Sequence, residues 1–334
     1  MAKVFVQTNE ADHNHVIAFE RSGDGALTQV ARLATGGKGD GVPHLTSQGS
    51  VALVEDGRRL LVTNAGSGDI SVIATDEEPS LVQVVPTGAA PKSVTEHAGV
   101  VYVLNTGAPS LVGFRLDKDG LEPLEGSLRK LAPDTDPAQV GFTPDGSSLV
   151  VTQRGTNSIA IFPLRDDSLL GEPEESPSAG PTPYGFAFGA DGALVVTEAF
   201  GAEKGKAAAS SYRLAGLRAE PVSRSIGNGR SEICWAVVTN DGRHAFTTNF
   251  ADGAVSSWTI DDHGDLTLAD AVAGTAVEGQ PGLRDEDLSG DGRFLYAIDA
   301  DTGRIFGWSV DGGRLAAIGS WDGIPATVAG LAAA

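Results

Sequence analysis

The segment LLVTNAGSGDISVI, residues 60–73, decides the fold. Two apolar, β-branched runs, LLVT and ISVI, flank a polar turn carrying two glycines, the pattern of an antiparallel hairpin. It returns as VYVLNTGAPSLVGFRL at 101–116, LVVTQRGTNSIAIFPL at 149–164, AFTTNFADGAVSSWTI at 245–260 and LYAIDADTGRIFGWSV at 295–310. Two looser copies are VFVQTNEADHNHVIAFE at 4–20 and LVVTEAFG at 194–201, where an inserted EKGKAAA delays the return strand SSYRL. The polar residue closing the first run falls at Asn9, Asn64, Asn105, Gln153, Glu198, Asn249 and Asp299. These seven positions are 41 to 55 residues apart, the blade period of β-propellers.

Upstream of most copies lies a further strand ending in a tight glycine turn, such as AQVGFTPDG at 138–146 or WAVVTNDG at 235–242. Downstream, a second turn such as Asp24-Gly25 or Asp119-Gly120 precedes an outer strand. Four short antiparallel strands in each of seven units predict an all-β, seven-bladed propeller forming one domain over 1–334. The first copy lacks an inner strand, whereas the C-terminal IPATVAGLAAA has no partner. Residues 326–331 are therefore expected to pair with the strand that begins at Lys3, closing the ring and removing its open edges.

The formal charge of -20 and the absence of a Lys/Arg cluster exclude nucleic acid as a partner, while leaving room for a small anion held by a few arginines. Val-Phe-Val follows Met1 almost at once, and no apolar stretch has the length of a leader or a span. The expectation is a cytoplasmic protein with no membrane partner. The single cysteine, Cys234, lies in an apolar run and reads as a small core residue. There is no Gly-x-Ser-x-Gly elbow and no phosphate-cradling loop before a helix, so serine-hydrolase and nucleotide-binding readings fall away. The histidines lack metal-ligand spacing, and neither a metal nor another cofactor is expected.

In a propeller blade the ends of the second strands and the entry loops to the inner strands share one rim. The entry loops vary in length and carry His44, Gln48, Lys92, Gln139, Arg230, Glu232, Arg284 and Asp285, whereas the other face repeats short Asp-Gly turns. The variable rim is the site candidate. An Asn at a strand end can cap the loop that follows it, so departures from Asn, at Gln153, Glu198 and Asp299, are more informative. The candidate catalytic residues are Glu198 and His44 as acid or base and Arg154, with Lys92 or Arg284 as alternatives, as partner of the developing oxyanion or of an anionic substrate. The candidate substrate-binding residues are Lys92, Gln48, Gln139, Trp235, Arg284, Asn64, Asn249 and Asp299. Each has a structural counterpart: a loop hydrogen bond for His44, a salt bridge to Arg154, Lys204 or Lys206 for Glu198, and capping for the asparagines. The run Asp285-Glu286-Asp287 would suit a hard cation or, as a simpler account, solvation and pairing with Arg284.

These copies resemble the YVTN-type propeller repeat, and residues 3–333 are similar to the lactonase family of seven-bladed propellers around 6-phosphogluconolactonase and fungal carboxy-muconate cyclase. The runs PHLTSQGS at 43–50, GPTPYGFAF at 180–188, TEAFG at 197–201 and CWAVVTNDGR at 234–243 resemble an actinobacterial branch of it. The resemblance implies the fold and points to lactone chemistry. Its active members tend to carry an Arg-His pair at the inner-strand entry. The matching positions here read Gly49-Ser50, Pro91-Lys92, Ala138-Gln139, Tyr184-Gly185, Cys234-Trp235 and Arg284-Asp285. Only Arg284 keeps one half of the pair, so the family's catalytic set does not transfer. Two functions stand side by side: a metal-independent hydrolase or isomerase of a small lactone or organic acid, and a noncatalytic propeller that binds a ligand or protein on the rim. A calcium-dependent lactonase is a third reading.

Overall fold

The computed structural model describes residues 2–42, 45 and 48–334. It forms seven antiparallel sheets, one per sequence copy, arranged so that each inner strand neighbours those of the two flanking blades. From inner to outer, blade 1 is Gly330–Ala333, Lys3–Gln7, His15–Arg21 and Leu27–Ala34; blade 2 is Val51–Val54, Arg59–Asn64, Asp69–Ala74 and Ser80–Pro86. The inner strands of blades 3 to 7 are Pro91–His97, Pro137–Phe142, Pro183–Phe188, Ile233–Val238 and Leu283–Leu288. Their second strands end at Asn105, Gln153, Glu198, Asn249 and Asp299. Blade 3 departs from the repeat, because its outer strand is split into Gly120–Pro123 and Arg129–Lys130, both paired with Ser110–Asp117.

The ring closes by pairing of the two chain ends, in the register Val4 with Ala333, Phe5 with Ala332, Val6 with Leu331 and Gln7 with Gly330. The closing strand begins four residues later than the expected 326–331. Val328 and Ile324 are drawn into the core between blades 7 and 1. The Val328 N–H turns back to the Pro325 carbonyl, and the Thr327 hydroxyl donates to the Thr8 carbonyl. The chain becomes extended only at Gly330, which passes so close to blade 2 that a Cβ there would lie 2.2 Å from the Ser50 hydroxyl.

Alternation along each strand sends one set of side chains to each neighbouring blade. Val4, Val6, Phe294, Tyr296 and Ile305 pack between blades 1 and 7, and Val237, Phe246, Val255, Leu283 and Trp308 between blades 6 and 7.

A corner recurs where the chain enters an inner strand. Ala90, Asp136, Thr182 and Glu232 all have positive φ, between 41° and 59°, and Gly282 takes their place in blade 7. The carbonyl of each accepts the N–H of the residue just beyond the second strand, namely Thr106, Arg154, Ala199, Phe250 and Ala300. This bond sets two rim residues side by side in each of blades 3 to 7. Because the left-handed residue recurs around the ring, it belongs to the repeat and is not strain confined to one site.

Candidate functional site

The polar residues ending the second strands stitch the rim together. Asn64 donates to Asp69 and to the Ser71 hydroxyl, both at 2.7 Å, while its carbonyl accepts from Asn14 and Thr35, both at 2.8 Å. Asn249 repeats two of these bonds, donating to Ser256 at 2.9 Å and accepting from Asn228 at 2.8 Å. Glu198 stands at this position in blade 5: one oxygen accepts the Gly180 N–H at 2.8 Å and the hydroxyl of Ser210, the counterpart of Ser71 and Ser256. Its carboxyl is fully buried, and burial raises its pKa against the pull of those hydrogen bonds. Gly180 has to lack a side chain, since a Cβ would lie 2.1 Å from the second Glu198 oxygen. Asp299 accepts the Thr302 N–H at 2.9 Å and is likewise pushed up by burial.

Below the rim, the inner strands of blades 4, 5 and 1 turn backbone N–H groups toward side-chain acceptors of the preceding blade. The Ser93 and Thr95 hydroxyls take the N–H groups of Val140 and Phe142, and Gln139 takes that of Phe186 at 2.6 Å. Asp285 and Asp287 take those of Leu331 at 3.2 Å and Ala333 at 2.8 Å. Asp285 and Asp287 thus serve the ring, and Glu286 between them points the other way, into the wall shared with blade 6. Blade 5 presents Gly185 where such an acceptor would stand. There Gln48, from the entry of blade 2 across the ring, donates to the Ala236 carbonyl at 2.8 Å and accepts the Ala236 N–H at 3.1 Å.

Directly above this seam is a cavity of about 410 Å³, lined by Arg154, Thr182, Tyr184, Ala199, Gly201, Ala202, Glu232, Cys234 and Phe250, within the range of small-molecule sites. The repeated corner builds its walls: Thr182 pairs with Ala199 and Glu232 with Phe250. Arg154 lies over the Tyr184 ring, 5.0 Å from its centroid, and is ion-paired with Asp136 at 2.8 Å. Arg284 lies over the Phe250 ring at 5.1 Å. It is 3% exposed, its Nε and Nη1 have no hydrogen-bond partner among the described residues, and its nearest carboxylate, Asp301, is 4.0 Å away. Burial depresses its pKa, with Asp301 opposing. A buried guanidinium with open N–H groups suits an anion or a carbonyl that gains negative charge.

Glu232 is half-buried at the cavity wall, and its pKa is raised by burial and then by the nearby Asp252. Burial keeps the Tyr184 phenol and the Cys234 thiol protonated. A roomier groove of about 560 Å³ lies on the opposite face between blades 4 and 5. Its charged groups are committed to one another or to turns, as Asp191 to Arg213 at 2.6 Å and Asp145 to the Ser147 N–H at 3.0 Å.

The structure brings Arg154, Arg284 and Trp235 to this cavity or its edge, Trp235 buried and edge-on to Tyr184 at 5.8 Å. Glu198 is outside the lining and does not pair with Arg154. Lys92 is ion-paired with Asp40 at 3.6 Å, and Gln139 and Gln48 hold backbone. His44 lies outside the described residues. Tyr184 and Phe250 have no role in the sequence reading, Glu232 is named there only as a rim residue, and Cys234 is read as a small core residue, as its burial shows. Their signal is positional: each stands within two residues of the start of an inner strand or the end of a second strand, the two places the repeat delivers to the rim.

Residues 121–199 match the family model described as lactonase, seven-bladed beta-propeller. The chain is similar to the lactonase-family propellers. No curated protein matches it. Solved structures similar over nearly their whole length include a functionally unknown protein of Desulfotomaculum acetoxidans, at 14% identity and a TM-score of 0.78, covering 99% of this chain and 98% of that one. A candidate 6-phosphogluconolactonase of Bacteroides uniformis has 17% identity and a TM-score of 0.77, with 100% and 99% covered. The periplasmic gluconolactonase of Pseudomonas aeruginosa has 18% identity and a TM-score of 0.75, with 99% and 98% covered. At these identities the likeness is one of fold. Among the described residues no helix is long and apolar enough to cross a membrane.

Proposed function

We propose that the chain hydrolyses a small lactone in the cavity between blades 5 and 6. The observation that carries this is Arg284, a buried guanidinium over the cavity residue Phe250 with two nitrogens, Nε and Nη1, unpartnered among the described residues. The partial match to the lactonase family model supports the reaction class. In this reading the Glu232 carboxylate takes a proton from a water molecule, whose oxygen attacks the lactone carbonyl. The carbonyl π pair becomes an oxyanion facing Arg284, with Arg154 holding a carboxylate or hydroxyl of the substrate. Collapse of this intermediate breaks the ring C–O bond. The departing alkoxide recovers the proton from Glu232, leaving a hydroxy acid and the base as it began. The apolar walls, Tyr184, Phe250, Ala199 and Ala202, lower the local dielectric, so the charges act more strongly than in water.

The test is a panel of sugar and aliphatic lactones, with and without a chelator, followed by two variants on the best substrate. Glu232→Gln should lower turnover about 10²- to 10⁴-fold, and Arg284→Ala about 10²- to 10³-fold. Turnover by both folded variants at the native rate would remove the cavity from the reaction. Saturable binding of an organic anion without turnover, lost in Arg284→Ala, would replace hydrolysis with ligand binding at the same place.

A further inference from the structure

We infer that Gln48 is a positioning residue for this cavity: reaching across the ring, it locks the seam between the inner strands of blades 5 and 6 and closes the space beneath Tyr184 and Cys234. The inference rests on the cavity being the site, as proposed above. Its basis is a seam where the preceding blade offers no side-chain acceptor. Ser93, Thr95, Gln139, Asp285 and Asp287 each serve the next blade in order, whereas blade 5 has glycine at the corresponding place. The gap is filled by a side chain 188 positions away in sequence from its partner Ala236.

The fit is close on every side. A Cβ on Gly185 would lie 2.2 Å from Gln48 Oε1, 2.4 Å from the Cys234 carbonyl oxygen and 3.1 Å from the Trp235 Cα. The amide therefore occupies the space a larger residue 185 would take, against the strand segment that carries Cys234 and leads back to Glu232. On the other side of the seam the Thr197 hydroxyl lies 3.0 Å from the Gly185 carbonyl and 2.7 Å from that of Cys234. Gln48 and Thr197 together fix the spacing of two strands whose entries line the cavity, through Thr182 and Tyr184 in one and Glu232 and Cys234 in the other. A primary amide suits the task because it offers a donor to the Ala236 carbonyl and an acceptor to the Ala236 N–H. Gln48 is 8% exposed, so its loss would leave that buried pair unsatisfied.

Cys234 is the only cysteine in the chain, and it reports on this seam without any substrate. Native-state labelling with N-ethylmaleimide should be slow in the unaltered protein and about tenfold faster or more in Gln48→Ala, as local opening exposes the thiol. Gly185→Ala, which leaves Gln48 in place but takes its space, should accelerate labelling as well. Gln139→Ala removes the equivalent tie one seam away and serves as the control for general loosening: its labelling should stay at the native rate even if it melts earlier. Native labelling rates in both Gln48→Ala and Gly185→Ala, or an equal acceleration in Gln139→Ala, would overturn the inference. On any lactone turned over, Gln48→Ala should lower kcat more than it raises KM, because the wall bearing Glu232 is loosened while Arg284 is untouched. If no lactone is turned over, the hydrolase reading fails and the labelling still decides the role of Gln48.

Discussion

Asp287 accepts the backbone N–H of Ala333 at 2.8 Å, so a carboxyl of blade 7 holds the free edge of the last strand of the chain. At the seams into blades 4, 5 and 6 the same task falls to hydroxyls and to the amides of Gln139 and Gln48. The closing seam is thus the one that titrates. Burial raises Asp287 to about 7, against the hydrogen bonds from Ala333 and Leu288. Its folded pKa lies above its unfolded value near 3.8, so the folded state binds more protons between the two and its stability falls as pH rises through that window. Asp287→Asn keeps an acceptor and removes the titration. The drop in unfolding temperature from pH 5 to pH 8 should be smaller in this variant than in the native protein, and equal drops would dismiss the assignment.

Glu286 gives a second stability test. It is 2% exposed in the wall between blades 6 and 7, and neither carboxyl oxygen meets hydrogen-bond geometry among the described residues. Burial, followed by the charges of Asp285 and Asp287, pushes its pKa well above the ordinary value, with the Thr248 N–H opposing in part. Ionising it in place at neutral pH is costly. Glu286→Gln should raise the unfolding temperature at pH 8 by a few degrees, at roughly 2–4 °C per kcal/mol, with a smaller gain at pH 5. A lower melting point at pH 8 would mean that the carboxylate has a partner in solution.

The fold was legible because the repeat writes it seven times: a copy such as 60–73 has both the alternation of strands and the glycine turn, and the missing inner strand at the N-terminus demanded a partner at the other end. The site was less legible. Glu198 breaks the Asn pattern, which drew it into the catalytic set, yet in the folded ring it meets Ser210 just as Asn64 meets Ser71. Equivalence of this kind appears only when neighbouring strands are in register. Gln48 and Ala236 lie on opposite sides of the ring, and no local pattern joins them. Arg284 was found because the inner-strand entry is a position the repeat repeats, and a charge there stands out against its counterparts.

Ring closure predicts that removing residues 324–334 destabilises the whole protein. The deletion strips Val328, Leu331 and Ala332 from the core and leaves the N–H and carbonyl groups of Lys3–Gln7 without their inner partners. The loss should exceed the roughly 4–5 kcal/mol that marks exceptional single substitutions, seen as a collapse of the cooperative transition. An unchanged unfolding midpoint would contradict closure by the C-terminal strand.

Glu198 separates a structural from a chemical role. Glu198→Gln retains an acceptor for the Gly180 N–H and the Ser210 hydroxyl while removing a carboxyl whose charged form is disfavoured by burial. Turnover should remain within about threefold of the native value, far less than the 10²- to 10⁴-fold loss of a general base. Glu198→Ala should melt earlier, since both donors are then left buried without an acceptor. A large loss of turnover in a Glu198→Gln protein with native thermal stability would put this carboxyl back into the reaction.

The pH dependence of turnover tests Glu232 most directly. Its pKa is raised from the usual 4.5 by burial and by the negative charge of Asp252. A base must be ionised to accept a proton, so kcat/KM should fall on the acid side as Glu232 becomes protonated, with the limb centred above the ordinary carboxylate range. Asp252 accepts the Ser231 N–H at 2.6 Å. Asp252→Asn preserves that acceptor while removing the like charge, so it should move the acid limb to lower pH and leave the plateau rate close to native. Arg284→Lys gives the complementary pattern: it keeps a positive charge but loses the flat face stacked on Phe250, so the plateau should fall while the limb stays where it was. A limb that ignores Asp252→Asn would assign the titration to another group and leave Glu232 without a role as the base.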